Sequence, residues 1–147
     1  MNGFVAFALL LGLVAVATVA GLLWRAHTGR VRRKHSGERV AAAEVGAAEF
    51  GAGATLLQFS TEFCAPCRAT ARVLGQLGAE RPDVRHVEID LTDRPDLARR
   101  FRILQTPTTL VLDAEGTIRA RIGGAARPSD VRSILDDLHG SSHVHTV

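Results

Sequence analysis

Phe63-Cys64-Ala65-Pro66-Cys67-Arg68 is the stretch on which the reading of this chain turns. Its two cysteines are the only ones in 147 residues, and they stand three positions apart. A structural cross-link gains most from closing a long loop, and a bridge between i and i+3 closes one too small to stabilise much. The spacing suits a redox pair at the start of a helix, with both sulfurs on one side of the first turn. A structural bridge and a metal site are the competing explanations.

The flanking pattern supplies a fold around the pair. Thr55-Leu-Leu-Gln-Phe-Ser60 is a short, mostly apolar run that fits a buried strand. Behind the cysteines, Ala69, Val73, Leu74 and Leu77 form the apolar stripe of a helix ending near Glu80. Val84 to Ile89 alternates as a strand does. Asp93 to Phe101 reads as a short helix, with Asp93 as N-cap and Pro95 in the tolerated first turn. Thr108 to Leu112 and Thr117 to Ile122 flank the turn Asp113-Ala-Glu-Gly116 and predict a hairpin. Pro128 to Leu138 closes the chain as an amphipathic helix, and Val40 to Gly53 holds a short strand and one helical turn. This order predicts an α/β sheet with both faces covered.

From Phe63 to Arg68 after a strand, and Thr106-Pro107-Thr108 about forty residues on, the chain resembles the thioredoxin family. The resemblance covers about residues 55–139. Phe101 to Thr108 is similar to the family's approach to its cis-proline loop, and Gly123-Gly124 to the glycine site facing the motif. The implied fold is a central mixed sheet flanked by helices, here preceded by one transmembrane helix. The implied activity is thiol–disulfide exchange with disulfide-containing protein substrates. Electrons would come from a thioredoxin reductase or a membrane dithiol donor, with no cofactor or metal beyond the Cys64–Cys67 disulfide. Pro107 resembles the cis-proline, leaving the Thr106 backbone free to pair with an extended substrate segment. Phe63, Ala65, Pro66, Thr106, Pro107 and Gly123 would line the substrate groove.

The chemistry also follows from the residues. A sulfur at a helix N-terminus meets unpaired N–H groups and the positive end of the helix dipole, which favour thiolate. Cys64 in that exposed position is the nucleophile, and Cys67, one turn inside, resolves the mixed disulfide. Arg68 adds a nearby cation. Three residues depart from the family pattern. Phe63 stands where Trp is usual, and Gln58 stands where a buried Asp often lies below the resolving cysteine. Glu88 replaces a Lys beside it. Glutamine cannot serve as a general base, so Glu88 is a candidate proton relay.

The N-terminus adds a setting. Gly3 to Trp24 is a run of 22 residues whose only polar side chain is Thr18, about 33 Å as a helix, long enough to cross a bilayer. Trp24 suits the interface. Six cations lie between Arg25 and Arg39 against the single carboxylate of Glu38. From Val40 onward there are twelve arginines and fourteen carboxylates, a net of −2. The expected organisation is an anchor over 1–24 in contact with membrane lipid through 3–24, a basic tether over 25–39, the redox domain over 40–139 and a flexible tail over 140–147. Cations after the span place the domain in the cytoplasm. The basic run has no interleaved aromatic residues for base stacking, which argues against nucleic-acid binding. His139, His143 and His145 near the end read as part of a polar tail, not a zinc site. Two rivals remain. One is an extracytoplasmic reductase of the cytochrome-maturation type, the other a non-catalytic binding module of the same fold.

Overall fold

The computed structural model describes residues 3–27, 31–33 and 37–142. The sheet is built outward from β2 (Ala54–Ser60), all seven residues of which are buried. It pairs in parallel with β3 (Val84–Asp90) and antiparallel with β4 (Thr108–Asp113). β4 turns back through Asp113–Gly116 into β5 (Ile118–Gly123), giving the predicted hairpin. Gly116 holds φ at +78°, where a side chain would also strike the Val40 carbonyl, so the turn needs glycine. A first strand, β1 (Val31–Arg33), completes the order β1-β5-β4-β2-β3.

Two apolar layers sandwich this sheet. On one face α2 (Ala65–Glu80) buries Cys67, Thr70, Leu74 and Leu77, the spacing of a single helical stripe. α4 (Pro128–Ser142) adds Val131, Ile134, Leu135 and Leu138 to the same cluster. On the other face Leu57, Phe59, Leu110, Leu112 and Ile118 meet Leu97 and Phe101 from α3 (Pro95–Arg100) and its end, with Val45 from a 3-10 turn (Ala42–Val45). Mixed pairing with helices on both faces is the expected α/β architecture.

Details differ from the sequence expectation. Arg94, not Asp93, occupies the N-cap of α3 and makes no side-chain cap bond, while Pro95 does take the first helical position. The C-terminal helix runs four residues beyond Leu138. No strand forms between Val40 and Gly53, where the 3-10 turn is the regular element, and a single bridge, Arg39 to Thr117, lies just ahead of it. The larger correction concerns the tether. Val31 pairs with Ile122 and Arg33 with Ala120. Ile118 N–H donates to the Glu38 carbonyl and Val40 N–H to that of Gly116, both at 2.9 Å. Part of the basic segment is therefore the sheet's edge. An edge strand is held through its main chain and tolerates charge, so composition alone misplaced the boundary.

Ahead of the sheet, α1 (Gly3–His27) is apolar from Gly3 to Leu23, and that stretch touches no core. The proposed tail begins inside α4. His139 lies on that helix, where its Nδ1 meets the Leu135 carbonyl at 2.8 Å and its Nε2 pairs with Asp83. His143 and His145 lie outside the described residues.

The Leu135 carbonyl, and then Asp83, raise the His139 pKa above its ordinary value. The folded state therefore favours the charged imidazole. Its contribution is complete below the unfolded value of about 6.5 and is lost as pH rises through the folded value. The side chain is 41% exposed, so solvent screening keeps the effect near the ~0.2–1 kcal/mol of surface pairs. Denaturant midpoints of wild type and His139→Gln should differ at pH 5.5 and converge by pH 8.5; a constant difference would refute this role.

Candidate active site

β2 ends at Ser60, and the chain crosses the top of the sheet to reach α2. Cys64 is the N-cap of that helix, and its Sγ accepts the Cys67 N–H at 3.2 Å. Pro66 sits in the first turn, where a missing N–H leaves no helical bond unmade. The two sulfurs are bonded, S–S 2.05 Å with Cα atoms 5.2 Å apart. Cys64 is 9% exposed and Cys67 1%. Cys64 is thus the more accessible of the two, although less open than its position suggested.

Of the residues expected to line a groove, three flank the cysteines in the chain and the others lie on the proline loop and the end of β5. Phe63, Ala65 and Pro66 are exposed, Phe63 at 92%. The Thr106–Pro107 peptide is cis. Thr106 and Thr61 bring their hydroxyls within 3.3 Å, joining the proline loop to the segment that leads into the cysteines. Gly124, at φ +86°, donates its N–H to the Pro107 carbonyl at 2.8 Å. Gly123 precedes it at the end of β5, so the glycine pair does adjoin the loop.

The proline loop is aimed by the end of α3. Ile103 N–H bonds the Ala98 carbonyl and Arg102 N–H that of Arg99, with Arg102 in the left-handed region at φ 50°. This double bond pattern is the Schellman stop, here without its usual glycine. Ile103 packs back onto the core. Arg121 donates to the Phe101 carbonyl at 2.7 Å, satisfying a helix-end acceptor. Leu104, next in the loop, is 96% exposed.

Beneath the cysteines lies a polar cluster that the sequence showed only in part. Buried Gln58 donates through Nε2 to the Cys67 carbonyl at 3.0 Å and to Glu88 Oε1 at 3.4 Å. Its Oε1 meets His86 Nε2 at 3.1 Å. Gln58 is therefore a bridge, and Glu88 stands one side chain from the resolving cysteine, exposed on β3. His86, also on β3, belongs to this group. Burial lowers its pKa, against a smaller opposing pull from Glu88. Thr109, paired across β2–β4 with Gln58, buries a hydroxyl without a hydrogen-bond partner among the described residues. The clue to both lay in register. His86 and Glu88 share a strand face, and Thr109 faces Gln58, but pairings between strands are not written in the sequence.

A bonded cysteine pair at a helix N-terminus, with a cis-proline loop tied to the segment that leads into it, is the architecture of proteins that exchange disulfides. The thioredoxin family model matches residues 45–137. The chain belongs to the thioredoxin family. It is 27% identical over 86 residues to thioredoxin of Mycolicibacterium smegmatis, covering 56% of this chain and 77% of that one. It is 31% identical over 69 residues to rice thioredoxin H5, covering 47% of this chain and 51% of the relative, about half its length. Among solved structures, oxidised mitochondrial thioredoxin 3 of Saccharomyces cerevisiae is similar with a TM-score of 0.51 and 27% identity, over 58% of this chain and 78% of that one. Chloroplastic thioredoxin z is similar at a TM-score of 0.55 and 26% identity, over 60% and 80%.

Proposed function

We propose that this protein is a membrane-anchored thiol–disulfide oxidoreductase that reduces disulfides of protein substrates. The observation that carries the reading is the Cys64–Cys67 bond at the N-terminus of α2, with Thr61, three residues ahead of Cys64, joined to Thr106 of the cis-proline loop. In the reduced protein, the Cys64 thiolate attacks one sulfur of the substrate disulfide. A mixed disulfide forms, and the released substrate thiolate takes up a proton. Cys67, as thiolate, then attacks Cys64, the substrate leaves as a dithiol, and two electrons have passed to it. A reductase or another dithiol donor restores the pair. Phe63, Ala65, Pro66, Thr106, Pro107 and Gly123 form the groove that receives the substrate. The test is a single turnover of the dithiol protein against insulin; no loss of insulin disulfides would end the reading.

Glu88 receives the Cys67 proton in this scheme, through water at the exposed rim. Its closeness to Gln58, which itself holds the Cys67 carbonyl, supports the role. Glu88→Gln should slow resolution of a preformed Cys64 mixed disulfide by about tenfold and leave its formation unchanged. An unchanged resolution rate would remove Glu88 from the mechanism.

α1 is the anchor, and the cations that follow it favour a cytoplasmic domain. Labelling the reduced thiols of intact cells with a membrane-impermeant reagent separates this topology from its reverse. Protection until lysis supports the cytoplasmic side, and efficient labelling beforehand supports the extracytoplasmic reductase.

A further inference from the structure

We infer that the dithiol end of the domain faces the bilayer, so that its substrates are disulfides of integral membrane proteins held close to the surface. This rests on the anchored-oxidoreductase reading and adds an orientation and a substrate class. The first observation is where the chain enters the sheet. β5 runs toward Gly123 and the Pro107 loop, and β1 is antiparallel to it, with Val31 opposite Ile122 and Arg33 opposite Ala120. The first residue of β1 is thus at the end of the sheet that carries the active site. Val31, Ile122, Thr109 and Gln58 form one row across four strands, and Gln58 holds the Cys67 carbonyl.

The second observation is the length of the leash. α1 ends at His27 and β1 begins at Val31, a gap of at most about 14 Å. The helix continues four residues beyond the apolar span that ends at Leu23, adding about 6 Å. Turning the domain over would require chain to run past the whole sheet, and β2 alone is about 23 Å long. The leash is too short for that.

A third observation agrees. Outside α1, the large apolar side chains left exposed are Phe63 at 92% and Leu104 at 96% among the described residues. Both lie at this same end, one beside Cys64 and one in the proline loop. An apolar rim on a membrane-facing end fits a partner whose own cysteines emerge from the bilayer. Arg25 and Arg30, which precede Val31 in the chain, add positive charge where the leash enters this end, and anionic headgroups attract it.

The test uses the full chain in phosphatidylcholine–phosphatidylglycerol vesicles, with Cys64→Ser and Cys67→Ser as background. A donor dye is placed through Glu62→Cys, beside the motif, or Ala114→Cys, in the hairpin turn at the opposite end; energy transfer is read to a headgroup acceptor. Transfer should be stronger from position 62, and the difference should shrink when twenty Gly/Ser residues are inserted between His27 and Val31. Equal transfer, or stronger transfer from 114, overturns the orientation. A second arm pairs the reduced wild-type chain with a transmembrane peptide whose disulfide loop lies either next to the headgroups or forty residues away. The near loop should be reduced at least tenfold faster in one turnover, and equal rates overturn the substrate class. Loss of the chain to the soluble fraction, or failure to reduce insulin, would instead strike the anchored-oxidoreductase reading.

Discussion

Cys64→Ser should lower insulin reduction by about 10³-fold or more, because a serine hydroxyl at neutral pH offers no anion to attack a disulfide. Cys67→Ser should behave differently. With Cys64 intact the first step proceeds, and without a resolving sulfur the product stalls as a mixed disulfide. Non-reducing electrophoresis after one turnover reads both outcomes: no adduct for the first variant, a stable adduct for the second. The exposures of the two residues, 9% for Cys64 and 1% for Cys67, are the basis for this expected asymmetry. If both variants lost activity without adducts, Cys64 would not be the attacking thiol. If Cys64→Ser left the protein's function in cells untouched, a binding module would be the better description. Neither substitution should disturb folding through loss of the cross-link, since a bridge three residues long constrains the unfolded chain little.

The site was legible in the sequence wherever chemistry and spacing coincide. Cys64, Cys67 and Pro107 declare themselves by type, order and the helix and strands between them. Gln58 and Glu88 could be flagged as unusual, but the contact between them, with Gln58 also holding the Cys67 carbonyl, depends on β2–β3 register, which no local pattern encodes. His86 and Thr109 joined the cluster for the same reason. The fold was legible where apolar periodicity was strong, as in β2, α2 and the hairpin. It failed at β1, since Val31–Arg33 is three residues long and charged. Such a strand is recruited by the open edge of β5, not by any preference of its own. That missed strand is also what gives the domain its orientation relative to α1.

Phe101→Ala should destabilise the fold far more than either cysteine substitution. Phe101 is 1% exposed and packs 5.3 Å, centroid to centroid, from Phe59, with the rings tilted by 39°. The Arg100 guanidinium lies 4.9 Å over its ring, a contact of about 0.5–1 kcal/mol at an exposed cation. Truncating a buried Phe costs about 3–5 kcal/mol in transfer and cavity terms, a large part of the ~5–15 kcal/mol that holds a domain folded. In mild detergent the urea midpoint should fall sharply with the slope unchanged. Phe63→Ala removes the same ring from a position 92% exposed and should stay within about 0.5 kcal/mol. The contrast reaches the active site because Phe101 ends α3, where Arg121 holds its carbonyl and the Schellman turn sends the chain toward Thr106 and Pro107. A cavity there should loosen the loop whose Thr106 meets Thr61 ahead of the cysteines. Activity per folded molecule should therefore drop in Phe101→Ala through weaker substrate binding, a rise in KM. If the loss of activity merely tracked the unfolded fraction, α3 would support the fold without positioning the groove.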